Sequence, residues 1–256
     1  MKIQIASDLH LEFRENLEWI KNSPLKPSSD ILLLAGDIIC DKYKKEAKDF
    51  YQYVSDNYEL VISAMGNHEF YHGEIAYAYP DYNEKISHNH NQLNNQSIIY
   101  KNVKIIVSVL WSFIPDQKKE FLYNVMNDYR LIYKKQFNDT VNLLIEETNQ
   151  FHQLSVEYIK NELNKKFDGK IIVLTHHLPS FQCIRHKFKN IENIKYAIAT
   201  DLEQIINDYK IDYWIFGHIH DSVNIKISET GLISNPLGYM KERQKDFFNP
   251  NYVINT

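Results

Sequence analysis

Five short stretches of the chain are continuously apolar and rich in β-branched or aromatic residues: KIQIAS (2–7), DILLLAG (30–36), ELVISAMG (59–66), KIIVLTHH (170–177) and YWIFGHIH (213–220). Each ends abruptly in polar residues. A strand with one wet face alternates apolar and polar positions, so an unbroken run predicts a strand buried on both faces. Between these runs the period changes. In KYKKEAKDFYQYVSDN (42–57), Tyr43, Ala47, Phe50, Tyr51 and Val54 fall at helical spacing. TDLEQIINDYK (200–210) opens with Thr200 three residues ahead of Glu203, a capping-box pattern that predicts a helix start. VKIIVSVLW (103–111) predicts another strand, and SVNIKIS and GLISN around Glu229 and Thr230 predict a hairpin. From Ser112 to Phe167 there is no strand signal; Thr140 to Phe167 predicts a long helix.

The order β-α-β-α-β, further strands, β-α-β and a hairpin reads as α/β with a layered sheet. One domain over residues 1–256 is expected, with 112–167 as a helical insertion or flank; no repeat or Pro/Gly-rich linker divides the chain. With 44% hydrophobic residues, 256 positions suffice for one large core. A net charge of −4 argues against a general nucleic-acid or membrane-surface binder and leaves nucleic acid open only as a substrate. The two cysteines, Cys40 and Cys183, form no CxxC and fit a reducing compartment. No apolar run reaches the roughly 18 residues of a membrane helix, and Asp8 interrupts the N-terminal run too early for a signal peptide. The expectation is a soluble cytoplasmic protein.

The chemistry collects where the strands end. Asp8 and His10 follow the first run, Asp37 the second, Asn67 and His68 the third; His176 with His177, and His218 with His220, close the last two. Open α/β sheets place ligand sites at the carboxyl ends of their strands. Residues i and i+2 of an extended segment point the same way, so Asp8 with His10, and His218 with His220, are expected to chelate in pairs. A lone DxH or HxH carries little weight. Five strand ends supplying only Asp, Asn and His carry more, because burying them unpaired would cost some kcal/mol each. A pair of divalent cations removes that cost. Imidazole, carboxylate and amide oxygen without thiolate suit Mn²⁺, Fe²⁺/Fe³⁺, Zn²⁺ or Ni²⁺, with Mn²⁺ favoured, and argue against a Cys-type structural zinc.

In order, the blocks DLH, GD, GNHE, HH and GHIH, from Asp8 to His220, resemble the signature of the calcineurin-like metallophosphoesterase superfamily. The resemblance implies a two-sheet β-sandwich flanked by helices, with a dinuclear metal centre at the strand ends. It implies that Asp8, His10 and His220 hold one ion, that Asn67, His176 and His218 hold the second, and that Asp37 bridges. His68 then stands just outside the ions as the catalytic histidine. Two cations about 3.5–4 Å apart can clamp a phosphoryl group and lower the pKa of a bridging water. The expectation is that hydroxide attacks in line while His68 stabilises the developing charge and protonates the leaving alkoxide. Glu69 is expected to orient its neighbours rather than bind metal, and Gly66 to allow a sharp turn.

The chain departs from the family pattern in two places. Many members read GDxxD, the second Asp orienting the catalytic histidine; here Cys40 occupies that place. Asp41 or Glu69 takes the role, or His68 lacks an anionic partner, and Cys40 reads as a small buried hydrophobe. GNHEFYHG contains no arginine, which leaves Arg130 as the candidate phosphate anchor against a bland reading as an exposed helix residue. His177 is a second candidate substrate contact, or an alternative ligand to His176. His72 reads as a loop residue; His88, His90, His152 and His186 as surface or structural. The aromatic runs FYQY, FYHG and YAYPDY suit either base stacking or core and rim packing. The expected function is metal-dependent hydrolysis of a small phosphate ester or nucleotide. Diesters are preferred because a monoester dianion asks for the missing arginine clamp. The rivals are a phosphomonoesterase acting on a nucleotide or small metabolite, and a binding module that kept the fold and lost the chemistry. Degenerate members of that second kind lose the catalytic histidine, and His68 stands.

Overall fold

The computed structural model describes residues 1–137, 139–184, 192–242 and 246–256. Two six-stranded sheets pack face to face. In the first, β1 (Lys2–Ala6), β2 (Ile31–Ala35), β3 (Leu60–Ala64) and β5 (His90–Asn94) run parallel, edged by antiparallel β4 (Tyr82–Lys85) and β14 (Val253–Asn255). In the second, β7 (Val103–Ser108), β10 (Lys170–Thr175), β11 (Tyr213–Ile215) and β13 (Thr230–Ser234) run parallel, edged by antiparallel β6 (Gln96–Tyr100) and β12 (Val223–Ile227).

The unbroken apolar runs follow from this layering. Along β2, Ile31, Leu33 and Ala35 face the opposite sheet, while Leu32 and Leu34 pack beneath helices with Ile20, Phe50 and Val54. Along β10, Ile172 and Leu174 enter the inter-sheet core and Ile171 and Val173 the outer one, with Ile159 and Leu163. Neither face meets water, so both must be apolar; each such side chain contributes roughly 1.5–3 kcal/mol by burial.

The helices are α1 (Arg14–Asn22), α2 (Lys48–Asn57), α3 (Asp116–Val125), α4 (Asp128–Leu131) and α5 (Ile145–Leu163), with short turns at Lys195–Ile198 and Glu203–Asp208. Where one helix was expected over 42–57, a 3₁₀ segment, Asp41–Ala47, precedes α2. The stretch expected to lack strands contains a hairpin, β8 (Tyr133–Gln136) with β9 (Asp139–Asn142), forming its own two-stranded sheet. Its residues, YKKQ and DTVN, are too polar to show an apolar alternation. The capping box at Thr200 does not form. The Thr200 hydroxyl accepts from Phe113 N (2.7 Å), and the Glu203 carboxylate accepts from Ser180 Oγ (2.6 Å). Among the described residues no helix is long and apolar enough to cross a membrane.

Candidate metal centre

Parallel central strands bring the loops after β1, β2, β3, β10 and β11 to one edge of the sandwich. There Asp8, His10, Asp37, His218 and His220 all have left-handed backbones, with φ of 52°, 49°, 53°, 68° and 49°. The expected extended pairs are therefore corrected: each pair flanks one buried apolar residue, Leu9 or Ile219, in left-handed steps. Such conformations cost on the order of 1–3 kcal/mol each for non-glycine residues and persist only where the surroundings enforce them. Here they do. Asp8 N, His10 N and Leu11 N donate to Gly36 O, Asp37 O and Ile38 O, and His218 N donates to Asp8 Oδ1 (2.8 Å). Gly66 serves close approach rather than a left-handed turn, because a Cβ there would collide with Asp37 Oδ1.

Two groups of donors face one another, Asp8–His10–His220 and Asp37–His176–His218. Asp37 Oδ2 lies between them, 3.8 Å from His10 Nε2 and 3.3 Å from His176 Nε2. Partners fix three of the tautomers. His10 Nδ1 lies 3.1 Å from Glu12 Oε1, His220 Nδ1 2.7 Å from Glu242 Oε2, and His176 Nδ1 2.9 Å from Ala35 O. Each Nδ1–H is donated outward, which leaves each Nε2 lone pair aimed inward. His10 Nε2 and His220 Nε2 are then only 2.9 Å apart, and two lone pairs at that distance repel unless a positive charge lies between them. Asp8 Oδ2 is buried with no hydrogen-bond partner. This donor set fits divalent cations.

The second group is ordered in the same way. His218 Nδ1 and Asn67 Oδ1 lie 3.2 and 3.0 Å from His176 Nε2. Asn67 Nδ2 donates to Asp128 Oδ1 (2.7 Å), so a residue of α4 turns the amide oxygen towards the donors. Burial raises the Asp37 carboxyl, but His176 and His68 outweigh it and hold the group well below the usual range. Burial likewise opposes charge on His176, and Asp37 overrides it, raising the ring to about 9, so that a cation taking the Nε2 lone pair would displace a proton. Burial and then His176 lower His218.

His68 stands beside these donors. Its Nδ1 lies 2.8 Å from Glu12 Oε1, its ring stacks on Tyr71 at 4.1 Å, and its Nε2 lies 3.1 Å from the Tyr239 hydroxyl. Burial pushes the Glu12 carboxyl up, but hydrogen bonds from His10 and His68 prevail and hold it at about 2. Burial lowers His68, yet Asp37 and Glu12 together raise it to about 9. The anionic partner is thus neither Asp41 nor Glu69. Glu69 accepts from the backbone N–H groups of Asp37 (3.0 Å), Ile38 (2.8 Å) and Gly66 (2.6 Å), pinning two loops together. Asp41 pairs with Lys44 at 3.2 Å. Cys40 is buried, donates to Tyr71 O, and has its thiol pushed by burial to about 11.

A cleft of about 370 Å³ opens over Asp37, Asn67, His68, His218 and His220. Tyr71, Tyr239 and Glu242 line it with an aliphatic group, Val125, Met126, Ile194, Ile198 and Ile219. A model of the calcineurin-like phosphoesterase family matches residues 1–222. The chain belongs to that family. It is accordingly a phosphate-ester hydrolase. It is 30% identical over 281 residues to the uncharacterized protein L509 of Acanthamoeba polyphaga mimivirus, across 98% of this chain and 95% of that protein. The phosphopantetheinyl hydrolase PptH of Mycobacterium tuberculosis shares the fold with a TM-score of 0.67 at 15% identity, over 95% of this chain and 92% of that one.

In this calcineurin-like phosphoesterase Arg130 lies outside the cleft lining, exposed, with its guanidinium on Asn124 O. His177 lies behind His218, ring centroids 4.3 Å apart, packed against Trp111 and off the cleft surface. His72 is exposed; His90 and His152 are buried on Ser63 Oγ and on the Leu110 and Trp111 carbonyls; His88 neighbours Ser55. His186 lies outside the described residues. Of the aromatic runs, Phe50, Tyr51 and Tyr53 pack into the helix-covered core and Tyr79 stacks on Phe151, whereas Tyr71 supports His68. Four site residues escape a reading of the blocks: Glu12, Asp128, Tyr239 and Glu242. Only Glu12 had a local signal, two positions beyond His10 in DLHLE.

Proposed function

We propose that this phosphoesterase cleaves phosphodiesters of small molecules or nucleotides, with His68 as the general acid. Asp8, His10 and His220 would hold one divalent transition-metal ion, Asn67, His176 and His218 a second, and Asp37 would bridge them. Residues 1–256 act as one domain whose 112–167 segment walls the cleft. The observation that carries the reading is the setting of His68: ionised Glu12 holds Nδ1–H, and Nε2 faces the cleft beside the donors. When bound, such ions, for which Mn²⁺ suits the oxygen and imidazole donors, supply Lewis acidity to phosphoryl oxygens and lower the pKa of water.

The chain's own residues do the rest. Glu12 keeps the His68 imidazolium aligned, and Nε2–H passes to the leaving oxygen as its bond to phosphorus breaks. Asp128 keeps Asn67 turned inward. Val125, Met126, Ile194, Ile198 and Ile219 give the cleft an aliphatic lining, to which Tyr71 and Tyr239 add aromatic surface. An apolar lining of this extent, with no arginine in it, suits a diester monoanion carrying organic substituents better than a monoester dianion. Cys40 and Cys183, both free and buried, are in keeping with a cytoplasmic setting. The test is hydrolysis of bis-p-nitrophenyl phosphate against p-nitrophenyl phosphate by Mn²⁺-loaded protein, with metal per chain measured alongside. The diester should be cleaved faster with two ions bound; a faster monoester would make the enzyme a phosphomonoesterase.

A further inference from the structure

Phe13 breaks a local rule beside Tyr239 and His68, two residues that line the cleft. It is the N-cap residue of α1, with an extended backbone (φ −91°, ψ 125°) and no side-chain cap. Ser, Thr, Asp or Asn is preferred there, because a side-chain oxygen accepts from a first-turn N–H. An aromatic ring cannot. Nor does this ring gain its place by burial, since 45% of Phe13 is exposed. A position that serves neither the helix nor the core is where a functional reason is to be sought.

The surroundings supply one. The Phe13 ring centroid lies 5.3 Å from that of Tyr239 at 88°, 6.1 Å from His10 and 6.4 Å from His68. The Tyr239 hydroxyl in turn lies 3.1 Å from His68 Nε2, the atom assigned to proton delivery. A leaving oxygen that receives this proton must come close to Tyr239, and its substituent then has the open Phe13 ring beside it. Tyr239 meets Phe13 edge-on and so fixes the ring while leaving surface free, a geometry that aromatic pairs favour.

We propose that Phe13, braced by Tyr239, is a stacking platform for the leaving group, so that favoured substrates carry a nucleobase or similar planar ring on the His68 side. This rests on the phosphodiesterase reading above and names its substrate class. Stacking on an aromatic side chain tolerates any base, because every base presents a π-face. The platform therefore sets a preference for planar rings and not for one base.

The test uses the Mn²⁺-loaded 256-residue chain as wild type, Phe13→Ser and Phe13→Trp. Serine supplies the missing cap, so loss of α1 is not a complication; tryptophan keeps the platform. Dissociation constants are measured for adenosine 5′-monophosphate and ribose 5-phosphate, and kcat/KM for their methyl diesters. Wild type should prefer the adenosine compounds, and Phe13→Ser should reduce that preference roughly 5- to 100-fold, the range expected for one stacked base. Phe13→Trp should retain it. An unchanged preference in Phe13→Ser, or an equal loss for both ligands, overturns the platform. If wild type cleaves neither diester, the phosphodiesterase reading falls, and the ratio of the two dissociation constants still decides for or against Phe13.

Discussion

Glu12 Oε1 lies 2.8 Å from His68 Nδ1, and the same oxygen lies 3.1 Å from His10 Nδ1. One carboxylate thus orients a proposed metal ligand and the proposed acid together, from the β1 loop, in a chain whose β2 loop carries Cys40 where an aspartate is usual. Glu12→Gln keeps the size of the side chain and removes its charge. Turnover should fall about 10- to 100-fold, the usual cost of losing such an orienting partner, with the larger loss on alkyl leaving groups. Full activity in Glu12→Gln on both alkyl and aryl esters would show that the pair has no role in proton delivery.

Asp37 approaches both donor groups, through the 3.8 and 3.3 Å contacts of Oδ2 with His10 and His176. Its Oδ1 also accepts from His68 N at 2.9 Å. Asp37→Asn should therefore lower metal content and activity in parallel, for every substrate tested. Metal analysis by inductively coupled plasma spectrometry decides it. Two ions per chain with wild-type turnover would be incompatible with a bridge.

Much of this site was legible because the proposed metal ligands sit within about five residues of the ends of strands that announce themselves. ILLLA and KIIVLT admit few readings other than buried strands; His176 follows the second directly and Asp37 stands one glycine beyond the first. What the sequence hides is contact across the fold. Asp128 reaches Asn67 from 61 positions away, and Tyr239 reaches His68 from 171; no spacing rule encodes either. The β4 and β5 strands and the β8–β9 hairpin escaped for another reason. Their residues are polar, and their buried members are satisfied by hydrogen bonds such as His90 to Ser63 Oγ and Asn94 Nδ2 to Ala78 O, so no apolar period marks them.

His90 gives the fold a predictable acid sensitivity away from the centre. Burial, with a smaller contribution from Lys44, lowers this imidazole from 6.5 to about 3, so it stays neutral in the folded protein. The unfolded chain takes up a proton below about 6.5. The stability contributed by neutral His90 is complete above that pH and is lost as pH falls from 6.5 towards 3, at about 1.4 kcal/mol per unit. His90→Gln removes this titration. Urea unfolding at pH 7.5 and 5.5 should show wild type losing about 1 kcal/mol more than the variant across that interval. Parallel losses in the two proteins would mean that His90 is protonated or solvated in the native state.

The role of His68 can be separated from that of its neighbour Asn67 by the choice of leaving group. His68→Ala should lower kcat about 10²- to 10⁴-fold for nucleoside or alkyl leaving groups, the range for loss of a general acid. The loss should shrink for p-nitrophenolate, which departs readily without a proton. Metal content should be unchanged, because Nδ1 of His68 is committed to Glu12 and Nε2 faces Tyr239 rather than the donor pairs. Asn67→Ala should behave in the opposite way. Its Oδ1 lies among the donors, 3.0 Å from His176 Nε2, so one ion should bind more weakly and all substrates should suffer alike. Equal losses on good and poor leaving groups in His68→Ala would leave His68 to position the phosphate and pass the acid's role to another group. Tyr239 would be the first to examine, since its hydroxyl is the polar group the structure places nearest His68 Nε2 in the cleft.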